Sequence, residues 1–109
     1  MIYFDQNTSK KKIMKAVFIA CNEAQGDNVM EALEKSFVKG FTMWEQVQGR
    51  GSKNGEPHLG SHAWPTMNSA IVTFVDDETA KRLKERLRDI DELKPALGLR
   101  FFSWTIDED

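Results

Sequence analysis

The segment Gly49-Arg50-Gly51-Ser52-Lys53-Asn54-Gly55 concentrates residue types that can hold an anion. Glycines admit positive φ and close backbone approach, so successive N–H groups can converge on a phosphate while Arg50 or Lys53 supplies the countercharge. The same glycines would serve a simple structural hinge. No Gly-Lys-Ser/Thr closes the segment ahead of a helix, so it is not a P-loop. His58 and His62, the only histidines, follow four residues apart. In a helical turn, two neutral imidazoles could share a divalent transition metal, with Glu56 or other copies of the chain completing the shell; otherwise they are exposed loop histidines. Trp64, next to Pro65, either pins the base of this region or offers an aromatic knob to a partner. One strand cysteine and two loop histidines do not assemble a nucleophile, a base and an orienting acid, so the sequence reads as non-enzymatic.

All of these residues except the cysteine lie between Gly49 and Ser69, a stretch of 21 residues with four glycines, two prolines and no sustained strand or helix period. Connectors beyond about 12–15 residues in a compact domain are commonly functional or disordered, so the flanking elements matter for how they carry this one. Residues 1–13, with the basic run Lys10-Lys11-Lys12, read as a flexible N-terminal arm, and residues 14–109 as the domain. Lys15 to Cys21 is an apolar run suited to a buried strand, with Cys21 simply packed inside it. Asp27 or Asn28 can cap a helix whose stripe is Val29, Leu33 and Phe37, ending before Gly40. Phe41, Met43 and Val47 alternate with Thr42, Trp44 and Gln46 in a second strand. Ala70 to Val75 is a third. Asp76-Asp77-Glu78 places acids where a helix begins, and Ala80, Leu83, Leu87 and Ile90 trace its buried stripe. The outer face of that helix carries Lys81, Arg82, Lys84, Arg86 and Arg88, a solvated face or a surface for an acidic partner. Leu99 to Ile106 forms the last strand.

The order βαββαβ predicts an α+β, ferredoxin-like sandwich: an antiparallel four-stranded sheet with two helices on one face. Two helices cover one face only, yet Phe101 points opposite to Phe102, Trp104 and Ile106, and Ala70, Val72 and Phe74 oppose Ile71 and Val75. The second apolar face is therefore expected to meet another subunit. The length of 109 residues allows one core. A net charge of −2 argues against a general nucleic-acid binder. No apolar run reaches the roughly 20 residues needed to enter and cross a bilayer, and a lone cysteine fits a reducing, cytoplasmic setting.

From Met14 to Ile106 the sequence resembles the PII signalling family, the trimeric nitrogen-regulatory proteins and their PII-like relatives. The resemblance is carried by Met14-Lys15-Ala16, by Asp27-Asn28-Val29-Met30-Glu31-Ala32-Leu33, by Gly40-Phe41-Thr42 and, most specifically, by Gly49-Arg50-Gly51-Ser52-Lys53-Asn54-Gly55. That last segment looks like the glycine-rich base of the T-loop, in a form closer to PII-like variants such as the carbon-uptake regulators. The resemblance implies a homotrimer with effectors at its inter-subunit clefts and a loop that controls a partner such as a membrane transporter or a regulatory enzyme.

Three departures bear on chemistry. No tyrosine lies near Leu59-Gly60, the only one being Tyr3, so uridylylation is not expected. Lys53 stands where the family places a metal-chelating glutamine, and its ammonium does not ligate magnesium. Asp91-Glu92-Leu93-Lys94-Pro95-Ala96-Leu97-Gly98 replaces the family's B-loop and removes one wall of the usual nucleotide site. The expectation is a non-enzymatic PII-like regulator that senses a small effector, an adenine nucleotide among the candidates, with Gly49 to Gly55 in contact with it. The alternative is a metal-binding trimer resembling the CutA group and using His58 and His62.

Overall fold

Strand β1 (Met14–Asn22) is the centre on which the other elements assemble. In this computed structural model, which describes residues 12–50, 57, 58 and 67–107, Val17, Ile19 and Cys21 point to one side of β1 and are fully buried. A single turn of 3-10 helix over Glu23–Gln25 leads directly into α1 (Gly26–Lys35). β2 (Thr42–Val47) follows, then the two-residue strands β3 (Gly49–Arg50) and β4 (Pro57–His58), then β5 (Asn68–Asp76), α2 (Asp77–Leu93) and β6 (Arg100–Ile106). Residues 1–11 of the expected arm, and the mobility expected of it, fall outside the described residues.

The main sheet runs β2-β5-β1-β6, and all of its pairings are antiparallel. This is the ferredoxin-like order, in which the two βαβ halves interleave. Both helices lie on one face. Val29, Ala32 and Leu33 from α1 and Ala80, Leu83 and Leu87 from α2 pack with Val17, Ile19, Ile71 and Val75, with Phe101 against them from the edge strand. The apolar stripe of α2 is therefore the expected one. Asp76 caps that helix, its Oδ1 accepting from the Thr79 N–H at 2.8 Å. Two details of α1 differ from expectation. It starts at Gly26 rather than after Asp27 or Asn28, because Asn22 caps the preceding 3-10 turn by accepting from the Ala24 N–H, and the chain continues straight into the helix.

The second difference is at its end. Phe37 is not part of the buried stripe: it is 73% exposed. The helix stops at Lys35 in a Schellman arrangement, with the Val38 N–H donating to Leu33 and the Phe37 N–H to Glu34, which puts Phe37 in the left-handed region at φ 66°. That position usually falls to glycine, and a side chain there costs about 1–2 kcal/mol. Val38, next in the chain, packs against the core in its place. The Arg82 guanidinium lies 5.7 Å over the Phe37 ring and donates to the Ser36 carbonyl and to Thr79 Oγ1.

Among the described residues no helix lies on the opposite face of the sheet. Phe74 is 62% exposed, Phe102 56%, Trp104 51% and Trp44 50%. Register places them as a layer: Phe18 lies between Val72 and Phe102, and Ala16 between Phe74 and Trp104. The two-faced apolar pattern read from the strands is thus the arrangement of the sheet.

The cap gives a direct check on this architecture. Partial burial alone would raise the Asp76 carboxyl, but the hydrogen bonds from Thr79 and the Lys12 ammonium 3.5 Å away outweigh it and hold the group below its ordinary value. A depressed carboxyl stabilises the fold above the unfolded-state value of about 4 and loses that contribution as the pH falls through its folded value. Asp76→Ala should cost about 1 kcal/mol in denaturant unfolding at neutral pH, and the difference from the wild type should shrink as the solution is acidified below pH ~4.

Candidate functional site

The described candidates Gly49, Arg50 and His58 follow the end of the sheet where β1 ends, β5 begins and β2 leaves for β3. The departure of β2 is set by a bulge. Trp44 lies opposite Ala70, but Val47 lies opposite Asn68, so three steps on β2 match two on β5. The extra residue is absorbed at Gln46, whose φ is 57°. A bulge reverses the alternation of side chains beyond it. Val47 therefore falls on the Trp44 side of the sheet, not on the Met43 side that simple alternation predicted. Bending β2 here ends its pairing with β5 and starts a separate two-stranded ribbon, in which Gly49 is opposite His58 and Arg50 opposite Pro57.

Within the stretch read from sequence as a single connector there are thus two short strands, and β5 starts at Asn68 inside its expected boundary. Of the candidate anion segment, Gly49 and Arg50 are on β3; Gly51, Ser52, Lys53, Asn54 and Gly55 lie outside the described residues. His58 is on β4 beside the glycine-rich strand, while His62 and Trp64 lie outside the described residues. Among the described residues no group of three or more His, Cys, Asp or Glu side chains could hold a metal.

Two surfaces flank the bulge, and neither was evident in the sequence. On the helix side, Asn22, Glu23, Gly26, Asp27, Met30, Met43, Glu45, Gln46 and Ser69 line a cleft of about 490 Å³. Its charged groups are the acids Glu23, Asp27 and Glu45, set over a Met30 and Met43 floor. On the open side, one row across the sheet reads Trp44, Ala70, Ala20, Arg100. Two alanines between an indole and a guanidinium make a shallow trough: the small side chains leave the sheet surface low, and the large ones stand at its sides. The only sequence signal for either surface is a tryptophan at an exposed strand position, and it becomes informative only with the register that sets Ala70 beside it.

Cys21, one residue before the end of β1, is buried, and desolvation pushes its thiol up to about 11, against a smaller opposing effect of a hydrogen bond with the Ser69 backbone. A thiol held protonated in this way is a packing residue rather than a nucleophile.

The family described as nitrogen regulatory protein P-II matches residues 14–102 of the sequence. No curated protein sequence matches. Among solved structures, CPII from Thiomonas intermedia K12 bound to ADP and bicarbonate superposes with a TM-score of 0.69 at 22% identity, over 86% of each chain. A PII-like signalling protein from Thermus thermophilus gives 0.62 at 21% identity, over 87% of this chain and 88% of that one. The Bacillus subtilis GlnK–ATP complex gives 0.62 at 18% identity, over 86% and 82%. At these identities the structural likeness establishes the fold.

The bulge can be tested apart from any ligand. Glycine accepts φ 57° freely whereas a β-branched side chain does not. Gln46→Gly should leave unfolding stability within about 0.5 kcal/mol of the wild type or raise it, and Gln46→Val should lower it by roughly 1–2 kcal/mol. Equal effects of the two in chemical denaturation would show that the left-handed conformation is not held in solution.

Proposed function

Because this chain belongs to the nitrogen regulatory protein P-II family, we propose that it is a non-enzymatic cytoplasmic regulator that assembles as a homotrimer, binds an adenine nucleotide at the clefts between subunits and controls a partner protein through the region between β2 and β5. The observation that carries the reading is the uncovered aromatic face of the sheet. Burying about 100 Å² more of each of Phe74, Phe102 and Trp104 is worth on the order of 8 kcal/mol per chain, which is comparable with the roughly 4–15 kcal/mol that association costs. An aromatic layer of this kind is best accounted for by a face that other copies of the chain cover.

The nucleotide part of the reading rests on the trough at the loop end. An indole at its side offers a stacking plane for a purine, and Arg100 across the row offers the cation and planar donors that suit phosphate oxygens. Arg50 and Lys53, in the glycine-rich segment that follows β2, would add charge and glycine-permitted N–H donors. ADP and ATP occupy two of the related structures, CPII from Thiomonas intermedia K12 and GlnK from Bacillus subtilis, which supports an adenine nucleotide over other effectors. The segment from Asp91 to Gly98 contributes Leu93, Lys94 and a Pro95–Leu97 turn in place of a glycine-rich phosphate loop, so the anion would lean more heavily on Arg50, Lys53 and Arg100.

Titration calorimetry with ADP and ATP should show saturable binding. Lys53→Ala should weaken it by roughly tenfold, the loss typical of one charge-assisted contact. Trp44→Ala should weaken it by a similar factor through lost stacking. His58→Ala with His62→Ala should leave it unchanged. Absence of nucleotide binding by the wild type, or affinity indifferent to both Lys53 and Trp44, would overturn the site.

A further inference from the structure

The two ends of α1 carry surfaces of opposite character, and the nucleotide reading uses neither. At its C-terminal end stands the Phe37 ring, exposed and fixed in an unfavourable backbone conformation, with the Arg82 guanidinium stacked on it and anchored by the Ser36 carbonyl and Thr79 Oγ1. Lys35 and Lys39 flank the ring in the chain, and Phe41 is exposed just beyond them. The acids that α1 brings to this end are Glu31, already paired with Lys35, and Glu34; on α2, Glu78 lies one helical turn before Arg82. Apart from its contact with Arg82, a phenyl group held out in solvent at a position that favours glycine adds nothing to the core. Strain of this sort persists where the exposed group has a function.

At the N-terminal end of α1 is the cleft of about 490 Å³, with the methionines Met30 and Met43 in its floor and Glu23, Asp27 and Glu45 around it. No lysine or arginine is among the described residues lining it. Methionine is an adaptable contact for an aromatic ring, and the carboxylates suit a guanidinium travelling with that ring. A helix of ten residues spans about 15 Å, so a molecule cannot insert its own Phe37 into its own cleft. The complementary surfaces must come from different molecules.

We infer that the Phe37 and Arg82 knob of one molecule seats in the acidic, methionine-floored cleft of another, joining copies of this chain head to tail. The contact is heterologous: the surface given and the surface used differ, so it can propagate instead of closing as a two-fold pair. It is separate from the aromatic sheet face, and it joins whatever unit that face produces. Occupation would also bear on the bulge, since Glu45 and Gln46 both line the cleft that the knob would fill.

Sedimentation velocity of the full chain over a range of concentrations at low ionic strength tests this. The wild type should show a weight-average sedimentation coefficient that climbs with concentration above that of its base unit, and about 0.5 M salt should suppress the climb by screening the charged contacts. Phe37→Gly should weaken the association at least about tenfold, the loss expected of a hot-spot side chain, while raising the melting midpoint by a few degrees because glycine relieves the left-handed strain. Glu45→Lys should weaken it to a similar extent from the other side of the contact. Arg82→Glu should also weaken it, and Arg82→Glu combined with Glu45→Arg should recover part of the loss. A sedimentation coefficient independent of concentration in the wild type would overturn the inference, as would Phe37→Gly and Glu45→Lys variants that associate like it, or a charge-swapped pair no better than the single variants. A base unit that proves to be a monomer would remove the trimer of the preceding subsection and leave this contact standing.

Discussion

Everything in the described part of this molecule depends on one imbalance: both helices pack on one side of a four-stranded sheet that is apolar on both sides. The helices satisfy the side bearing Val17, Ile19, Ile71 and Val75, and they do so completely, with all four of these residues buried. The other side keeps Phe18, Phe74, Phe102 and Trp104 in one layer with no described residue of the same chain packed above them. Among the described residues no further helix is present to cover that layer, and an apolar face of this size is characteristic of an interface. The Trp44 to Arg100 trough lies on that same face, at the end where β2 gives way to the glycine-rich strand, so copies of the chain docked there would border it.

Local conformations then decide where the chemistry sits. Each of the two non-glycine residues with positive φ among the described residues stands at a change of direction. Gln46 takes up the extra residue that turns β2 out of the main sheet, so the ribbon holding Gly49, Arg50 and His58 starts in a defined direction from a rigid strand. Phe37 ends α1 and allows Val38 to return to the core, which leaves its own ring exposed. In both places the neighbouring structure overrides a backbone preference: at Gln46 through the pairing of β3 with β4, at Phe37 through the burial of Val38 and the hold of Arg82 on the last turn.

The four strands of the main sheet, the α2 stripe and the two-faced sheet are legible because they rest on periodicity, which a sequence records directly, whereas β3 and β4 are too short to show a period. Phe101 and Phe102, adjacent in the chain, land on opposite faces by alternation alone, and Ala80, Leu83 and Leu87 fall on one side of a helix by the 3.6-residue repeat. The exceptions are the places where one residue breaks the period. Phe37 has the right spacing for the buried stripe of α1, but the helix ends too early for it to be used. Val47 has the right parity for the helix side, until the bulge reverses it. The trough between Trp44 and Arg100 was invisible for another reason: its parts come from four strands, and only the register brings them into one row. The glycine-rich segment was conspicuous in sequence, yet its role depends on how Ser52 and Lys53 are presented, which composition does not determine.

Whether the open aromatic face is an interface or a solvated surface sets the mass of the assembly. Native mass measurement of the purified chain, next to a Phe102→Asp variant, tests it most directly. An interface there requires a wild type at three times the 12.5 kDa chain mass, and a variant that remains folded by circular dichroism but falls to the mass of a single chain. A wild type of 12.5 kDa at micromolar concentration, or a Phe102→Asp variant that keeps the threefold mass, would contradict it.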